Sequence, residues 1–383
     1  MTFELSSEQI IIKETIRDFV LKECPRDMAR ELEEKEEIPE KLWTQISDLG
    51  FFGLTIPEEY GGEGESCLAG LVTTEELAVM APPFALAYSA SAFSGGAVIS
   101  RLGDQQQKEA YLEKLARGEL VFTAALNEEE KGFNMAGIKT TASLEGSELV
   151  LNGTKRLVSL AGHADYCLVL ANSAGSSEDE GSLTMVIVDT GSAGIQTDKL
   201  SKIGMKSLGV CDTNFNDVRV PVKNILGGSE KLNCGTGQIK HFLDIQNLSY
   251  AACQLGIARG AYEYAKSHAK ERVQFGSPIV KFSAVQEMLV NVAMEIEACR
   301  LLVYRAGALA DSGEPFSREA GIAVSYALRI AKKAASQGLQ ICGGYGYALE
   351  YDAQRYLRDA YAVPANGQTT ETINERIAML VGL

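Results

Sequence analysis

A glycine-rich turn near residue 343 is the first feature of this 383-residue sequence from which chemistry can be inferred. The segment Gln340-Ile-Cys-Gly-Gly-Tyr-Gly-Tyr347 is predicted to be a helix that ends in a glycine turn. Because glycine has no side chain, the backbone N–H groups of such a turn can approach a ligand closely. The turn therefore predicts a binding site for a large ligand.

A loop after the motif Arg358-Asp-Ala360 carries amides and hydroxyls but no acid. It reads Asn366-Gly-Gln-Thr-Thr-Glu371, so its first carboxylate is Glu371. We expect Glu371 to lie in the first turn of the last helix, where a negative charge is favourable. A carboxamide can donate and accept hydrogen bonds, but it cannot act as a general base near neutral pH. The loop is therefore predicted to orient a ligand.

Three segments of different periodicity must position these residues. Helical periodicity up to about residue 120 gives way to short β-type runs, and it returns near residue 238. We place the domains at residues 1–120, 121–232 and 233–383. The predicted fold class is multidomain α+β, with an N-terminal helical domain, a central β-barrel-like domain and a C-terminal four-helix bundle.

Two finer expectations concern the N-terminal domain. The charged run at residues 31–37 is expected to be a solvated connection between helices. The small residues at 90–96 are expected to mark a helix that another element approaches closely.

Composition excludes several classes of function. The formal net charge is −15, whereas nucleic-acid binding needs clustered Lys and Arg. No segment approaches the roughly 18 apolar residues of a membrane span, and the N-terminus lacks the features of a secretory signal. Eight cysteines without a Cys-x-x-Cys pair and three histidines predict neither disulfides nor a metal site. We expect a cytoplasmic protein with no nucleic-acid partner and no membrane insertion.

Motifs along nearly the whole chain resemble those of the acyl-CoA dehydrogenase superfamily. Besides the Gln340 turn with its Arg358-Asp-Ala360 motif, these are Ile56-Pro-Glu-Glu-Tyr-Gly-Gly62, Leu200-Ser-Lys-Ile-Gly-Met-Lys206, Phe215-Asn-Asp-Val-Arg-Val-Pro221 and Glu271-Arg-Val-Gln-Phe-Gly276. The resemblance implies FAD as the cofactor and an acyl-CoA thioester as the substrate. It also implies a homotetramer built as a dimer of dimers, and electron-transferring flavoprotein as an electron acceptor.

The resemblance implies a FAD site shared between subunits. Arg272 and Phe275 would meet the pyrophosphate and adenosine part of FAD, for which the forked donors of arginine are suited. Gln340, Gly343 and Gly344 would bind FAD from a neighbouring subunit. In the central domain the implied cofactor-binding residues are Leu126, Asn127, Val158 and Ser159.

The central domain departs from the family pattern at two places. The family's Trp-Ile-Thr, which packs against the flavin ring, is Leu157-Val-Ser159 in this sequence, so aromatic stacking is lost. Phe133 stands where the family has a serine that bonds ligand or flavin phosphate. We expect FAD binding to be retained in altered form and Phe133 to contact the substrate.

The family's catalytic glutamate is absent. Matching its loop by motif leads to Asn366, counting leads to Gly367, and aligning backwards from Ile373 leads to Gln368. Relatives with the glutamate on the first bundle helix have Leu-Asp-x-Glu-Arg, which is Leu243-Asp-Ile-Gln-Asn247 here. The second base position is therefore Gln246. Gln246 and Asn366 are expected to orient the substrate, with Asp244 and Asn247 contacting it.

Three hypotheses remain open. The first is a flavoenzyme with non-standard chemistry, such as 1,4-elimination from a cyclic or conjugated acyl-CoA, or loss of carbon dioxide or sulfite from the β-side. The second is an ordinary acyl-CoA dehydrogenase with a displaced base, for which Glu371 is the first candidate. The third is a catalytically silent FAD-binding subunit of a heteromeric enzyme.

Overall fold

The structure is a computed structural model that describes residues 5–64, 66–129, 135–173, 182–362 and 369–383. Its N-terminal part is helical. The first helix begins at a capping box, because the Ser6 hydroxyl accepts from the Gln9 N–H while the Gln9 side chain accepts from the Ser6 N–H. The helices are α1 Ser7–Glu23, α2 Arg26–Lys35, α3 Glu40–Asp48, α4 Cys67–Met80, α5 Pro82–Ser89, α6 Val98–Leu102 and α7 Gln105–Ala116.

A π-helix, Ala90–Ala97, joins α5 to α6. Such turns are rare and are frequently found at functional sites. The small residues here are required by close packing: a Cβ atom added at Gly95 would lie 2.9 Å from the Cβ atom of Phe122. The expectation that another element approaches residues 90–96 closely is confirmed.

The central domain is a curled sheet of seven strands. They are β1 Phe122–Ala125, β2 Thr141–Glu145, β3 Glu148–Ser159, β4 Tyr166–Asn172, β5 Leu183–Asp189, β6 Ile195–Lys199 and β7 Val210–Pro221. The order is β1-β4-β2-β3-β7-β6, with β5 paired to β4. The β3–β7 register shifts between Lys155 and Val158, where Leu157 has φ 56°. This irregularity re-aims the end of β3.

Long helices form the C-terminal part. They are α8 Gly235–Glu271, α9 Ser283–Asp311, α10 Ser317–Cys342, α11 Ala353–Ala360 and α12 Thr370–Val381, and a two-residue-strand hairpin of β8 Val273–Gln274 and β9 Ser277–Pro278 follows α8. Helix α8 packs closely against α4, since a Cβ atom at Gly256 would lie 2.3 Å from the Glu75 carbonyl oxygen. The N- and C-terminal helices therefore share one core.

The helical, β and helical parts confirm the predicted α+β fold class. The expected connection at residues 31–37 was wrong, because α2 continues to Lys35. The charges of this stretch support the helix rather than break it: Lys35 pairs with Glu31 at 2.6 Å, and Arg30 pairs with Asp27. Ala29 is buried, and Leu32 packs against the core. No helix in the described ranges has the length and apolar character that crossing a membrane requires.

Candidate functional site

A small cavity lies where the three parts of the chain meet. Its volume is about 30 Å³. Helix α5 and the π-helix form one wall, β1 and the end of β3 a second, and α8 a third. The lining residues are Leu86, Ser89, Ala90, Ser94, Thr123, Ala124, Leu126, Ser159, Gln246, Ser249 and Tyr250. This described lining contains hydroxyls, one amide and apolar groups, but no carboxylate and no cation.

Gln246 is the amide of the cavity, and it joins α8 to the π-helix. Its Nε2 atom donates to the Ser94 Oγ atom at 3.1 Å. Its Oε1 atom is buried and has no hydrogen-bond partner among the described residues. Ser249, on the next turn of α8, donates to the Gln246 carbonyl oxygen at 3.0 Å. The structure therefore places the predicted residue Gln246 in the cavity with one acceptor still available.

Ser159 ends β3 at the cavity. The Thr123 hydroxyl donates to the Ser159 carbonyl oxygen and ties β3 to β1. The Ser159 Oγ atom is buried without a partner in the part of the chain that the structure describes. Neighbouring Val158 is buried, whereas Leu157 is 49% exposed. The left-handed backbone of Leu157 is held by Asp212, which accepts a hydrogen bond from the Leu157 N–H at 3.2 Å.

A buried ion pair supports the β1 edge of the cavity. Lys155 on β3 is fully buried, and its Nζ atom donates to Glu128 at 2.8 Å and to the Leu126 carbonyl oxygen at 3.2 Å. Burial alone would raise the pKa of Glu128, but Lys155 and the Thr140 hydroxyl hold that pKa below its ordinary value. The pair fixes Leu126 and Asn127, two residues predicted to bind the cofactor.

Asp244 and Asn247 lie on α8 near Gln246, and both are buried. Asp244 accepts from the Ser317 hydroxyl and from Arg376, each at 2.5 Å, so it connects α8 to α10 and α12. Burial raises the pKa of Asp244 despite the neighbouring Arg376. Neither residue lines the cavity. Their predicted substrate contacts therefore stay predictions, and Asp244 has a structural role in the chain.

The predicted outer cofactor residues lie on one exposed surface. The Arg272 guanidinium sits 5.3 Å from the centre of the Tyr345 ring, which joins the hairpin after α8 to the glycine turn. Phe275 is 95% exposed at φ 51°. We call this surface the outer patch; it comprises Arg272, Phe275, Gln340, Gly343 and Gly344. One chain brings Arg272 and the glycine turn together, and the expectation that Gln340, Gly343 and Gly344 bind the FAD of a neighbouring subunit stays a prediction.

Two predicted site residues, Asn366 and Phe133, lie outside the described residues. Glu371, the candidate for a displaced base, is described in the first turn of α12 and is exposed. Its own backbone N–H and the Thr369 hydroxyl lower its pKa, which makes it a weaker base. Glu371 does not line the cavity, and its position matches the expected favourable charge at a helix N-terminus.

Eight of the eleven cavity residues were not predicted as site residues, and Ser94, Ser249 and Tyr250 are the ones that the proposals below use. Ser94 lies among the small residues at 90–96. A polar side chain in such a close-packed helix was the sequence feature that could have identified it as a cavity residue. Ser249 and Tyr250 follow Gln246 by three and four residues on α8, which is the spacing that places side chains on one helix face.

The residues present fit the FAD that the resemblance implies. Ser159 offers a buried hydroxyl without a partner among the described residues, and Leu157 offers an exposed apolar side chain beside it. In the outer patch, a Cβ atom at Gly343 or Gly344 would meet nothing within 4 Å, so backbone can face a ligand there. Among the described residues, no cluster of three or more His, Cys, Asp or Glu is suited to hold a metal ion.

Comparison with known proteins gives the same family throughout the chain. Residues 6–119 match the acyl-CoA dehydrogenase N-terminal domain, residues 123–218 the middle domain and residues 233–381 the C-terminal domain. A probable acyl-CoA dehydrogenase of Bacillus subtilis is 34% identical over 97% of both chains. A caffeyl-CoA reductase-Etf complex subunit of Acetobacterium woodii is 33% identical over 92% of this chain and 93% of its own.

A solved structure extends the similarity to three dimensions. Butyryl-CoA dehydrogenase from Megasphaera elsdenii superposes with a TM-score of 0.94 and 30% identity, and the match covers 100% of both chains. The domain matches, the sequence identity and the fold agree, so this chain is a member of the acyl-CoA dehydrogenase family and an FAD-dependent flavoprotein.

Proposed function

We propose that this chain is an FAD-dependent oxidoreductase of acyl-CoA thioesters that works without the carboxylate base of its family. One observation carries the proposal: the cavity holds the amide of Gln246 where some relatives have glutamate, and its described lining has no acid. The other base position falls in residues 363–368, whose sequence contains no acid either. The cavity is therefore neutral at both places where the family puts its base.

A neutral cavity suits the half-reaction that needs no base. Near neutral pH, hydroxyl groups can relay a proton from water to the strongly basic enolate that hydride addition to an unsaturated thioester leaves, but neither hydroxyl nor amide groups can take a proton from the saturated thioester. When bound and reduced, FAD supplies a hydride. The hydride would go to the β-carbon, and a proton drawn from water through the hydroxyls of Ser94, Ser249 and Tyr250 would go to the α-carbon. We therefore infer that reduction of an α,β-unsaturated thioester is faster than dehydrogenation of the saturated one.

The cavity also weighs against the non-redox alternatives. Loss of carbon dioxide or sulfite needs an anionic group on the β-side of the substrate, and a buried anion is ordinarily paired with a cation. The described lining offers no Lys, Arg or His. A small neutral acyl group undergoing two-electron chemistry at its α- and β-carbons suits this site best.

The assembly is proposed from the outer patch. In an isolated chain Phe275 is 95% exposed and the glycine turn is open, although both belong to cofactor motifs. We infer a cytoplasmic homotetramer, a dimer of dimers, in which the outer patch of one chain helps to hold the FAD of its neighbour. A relative that belongs to a reductase-Etf complex supports electron-transferring flavoprotein as the redox partner.

A second candidate is a silent FAD-binding subunit of a heteromeric enzyme. It is favoured by the same neutral base positions beside an intact outer patch. Unlike the first candidate, it predicts that the purified chain alone does not turn over any acyl-CoA.

One anaerobic experiment separates these readings. The chain is purified alone, its flavin is reduced, and crotonyl-CoA is added while flavin absorbance is followed; butyryl-CoA is added to the oxidised protein in parallel. We expect yellow protein that crotonyl-CoA reoxidises faster than butyryl-CoA reduces. Product formation without a flavin change would support a lyase. A colourless protein that becomes active only with a partner would support the silent subunit.

A further inference from the structure

Hydroxyl and amide side chains stand beside apolar ones in the cavity in which the acyl group would lie. Ser89, Ser94, Thr123 and Ser249 are each at most 4% exposed, and Gln246 adds an amide to them. Ser89, Thr123 and Ser249 already form hydrogen bonds within the chain, whereas the Gln246 Oε1 atom has no partner among the described residues. A plain hydrocarbon chain placed here would leave that oxygen buried and unsatisfied, which costs free energy. The lining therefore suits an acyl group that itself forms hydrogen bonds.

Two lining atoms, Gln246 Oε1 and Ser159 Oγ, are buried without a partner among the described residues; Ser159 is a predicted cofactor residue, which leaves Gln246, bonded to Ser94, for the acyl group. The amide N–H of Gln246 donates a hydrogen bond to the Ser94 hydroxyl, and the Gln246 Oε1 atom has no partner among the described residues. A ligand group that donates a hydrogen bond would satisfy that oxygen. If the amide is turned over, its nitrogen needs an acceptor instead. A hydroxyl group satisfies both orientations, because it donates and accepts.

The cavity also limits the length of the acyl group. Its volume is about 30 Å³, while one water molecule needs about 10 to 15 Å³ on this measure. Tyr250 is one turn beyond Gln246 on α8, so both side chains lie on the same face and Tyr250 fills the space beside the amide. The cavity therefore has room for about two or three water-sized groups, which favours a short acyl group over a long one.

We propose that the acyl group is short and carries a hydroxyl, which Gln246 and Ser94 recognise. This inference rests on the proposed function, since it specifies the substrate class of the same site. It names a role for the amide at a position where relatives have a base: Gln246 selects the substrate by hydrogen bonding.

The test compares two acyl-CoAs of equal size. In 4-hydroxybutyryl-CoA a terminal hydroxyl replaces the terminal methyl of pentanoyl-CoA. Binding to the oxidised FAD-loaded protein is measured by the perturbation of the flavin spectrum, so that turnover is not required. We expect 4-hydroxybutyryl-CoA to bind about tenfold more tightly, as one additional buried hydrogen bond implies. Gln246→Leu should remove this preference, and Ser94→Ala should reduce it.

Matched controls fix the interpretation. Gln106→Leu makes the same change at an exposed position of α7 and should keep the tenfold preference. Tyr250→Val should enlarge the cavity and improve the binding of hexanoyl-CoA relative to butyryl-CoA. Equal binding of the matched pair by the unaltered protein, or a preference that survives Gln246→Leu, would overturn the inference.

Failure of the inference differs from failure of the proposed function. If octanoyl-CoA binds most tightly and the flavin still exchanges electrons with acyl-CoAs, the substrate class is wrong but the oxidoreductase remains. If none of these thioesters perturbs the flavin, both proposals fail.

Discussion

At the scale of single residues, Gln246 and Ser94 form a neutral hydrogen bond at a position where the family resemblance leads us to expect a charge in some relatives. Adjacent Asn247 is also neutral and only 2% exposed, and there the resemblance leads us to expect arginine in the same relatives. A buried arginine without its carboxylate, or the reverse, would leave an uncompensated charge. Replacing both by amides keeps α8 free of that cost, so the two departures from the family pattern make physical sense together.

The displaced-base hypothesis predicts that replacing Glu371 strongly lowers enzymatic activity, whereas we expect no change in activity. Glu371 is exposed in the first turn of α12 and does not line the cavity. Glu371→Gln should therefore leave crotonyl-CoA reduction by the FAD-loaded protein unchanged at saturating substrate. Glu375→Gln, on the exposed part of the same helix, is the matched control. Loss of activity confined to the Glu371 variant would restore the displaced base.

At the scale of elements, β1 and β3 depend on one buried cation. Lys155 holds both Glu128 and the Leu126 carbonyl oxygen, and no part of it is exposed. Lys155→Met should leave Glu128 without its charged partner and lower the free energy of unfolding by about 3 kcal/mol. Urea unfolding checks this.

The same variant should also weaken FAD retention, because Leu126 and Asn127 lose their support. Lys139→Met removes a partly exposed lysine from the neighbouring segment and serves as the control for a general loss of charge. A Lys155→Met protein with unchanged stability and unchanged flavin content would show that the pair does not position this edge.

A second buried cluster joins α4 to α8 and α9 and sets a pH dependence. Glu75 is fully buried; its carboxylate lies 2.7 Å from Arg259 and 3.2 Å from Arg300, and it accepts from the Tyr304 hydroxyl. Burial would raise the pKa of Glu75, but the two arginines hold it below its ordinary value of 4.5. Its contribution to stability is therefore complete above pH 4.5 and is lost as the pH falls through the lowered pKa.

Glu75→Gln isolates this contribution. The difference in unfolding free energy between the unaltered protein and the variant should be about 3 kcal/mol at pH 7 and should shrink below pH 4.5. Thermal or urea unfolding across this range measures it. A difference that stays constant down to pH 3 would mean that Glu75 is not charged in the folded protein.

At the scale of the whole molecule, the outer patch links cofactor binding to assembly. If it holds the FAD of a neighbouring chain, Arg272→Met should weaken FAD binding at least tenfold, since a hydrogen bond to a charged group is lost. Arg219→Met on β7, where arginine is 54% exposed and pairs only with Glu145 and Glu148 among the described residues, is the control. Flavin content and size-exclusion elution are measured together. Equal FAD affinity in both variants would contradict a role for the patch.

Much of the molecule could be predicted from the sequence because its signals are local. The change from helical to alternating periodicity near residue 121 reflects which faces of the helices and strands are buried. The glycine turn after α10 was predictable because Gly343 adopts a backbone conformation, with φ 59°, that favours glycine. Helix α2 was missed because its apolar positions are few and its stability comes from ion pairs between neighbouring turns.

The rest depends on contacts between distant segments. Ser94 meets Gln246 across 152 residues of sequence, and Arg272 lies over Tyr345 only because the hairpin after α8 folds against the end of α10. Neither contact produces a periodic pattern in the sequence from which it could have been predicted.

The most direct measurement of the central claim restores a carboxylate to the neutral cavity. In Gln246→Glu, burial should raise the pKa of the new acid, and above that pKa it can act as a base. We predict that the rate of flavin reduction by butyryl-CoA increases at least about 100-fold over the unaltered protein, with a rate that rises with pH. Gln106→Glu on exposed α7 should give no gain. An unaltered protein that butyryl-CoA already reduces as fast as it reduces Gln246→Glu would contradict the claim, because a working base would then be present in the native cavity.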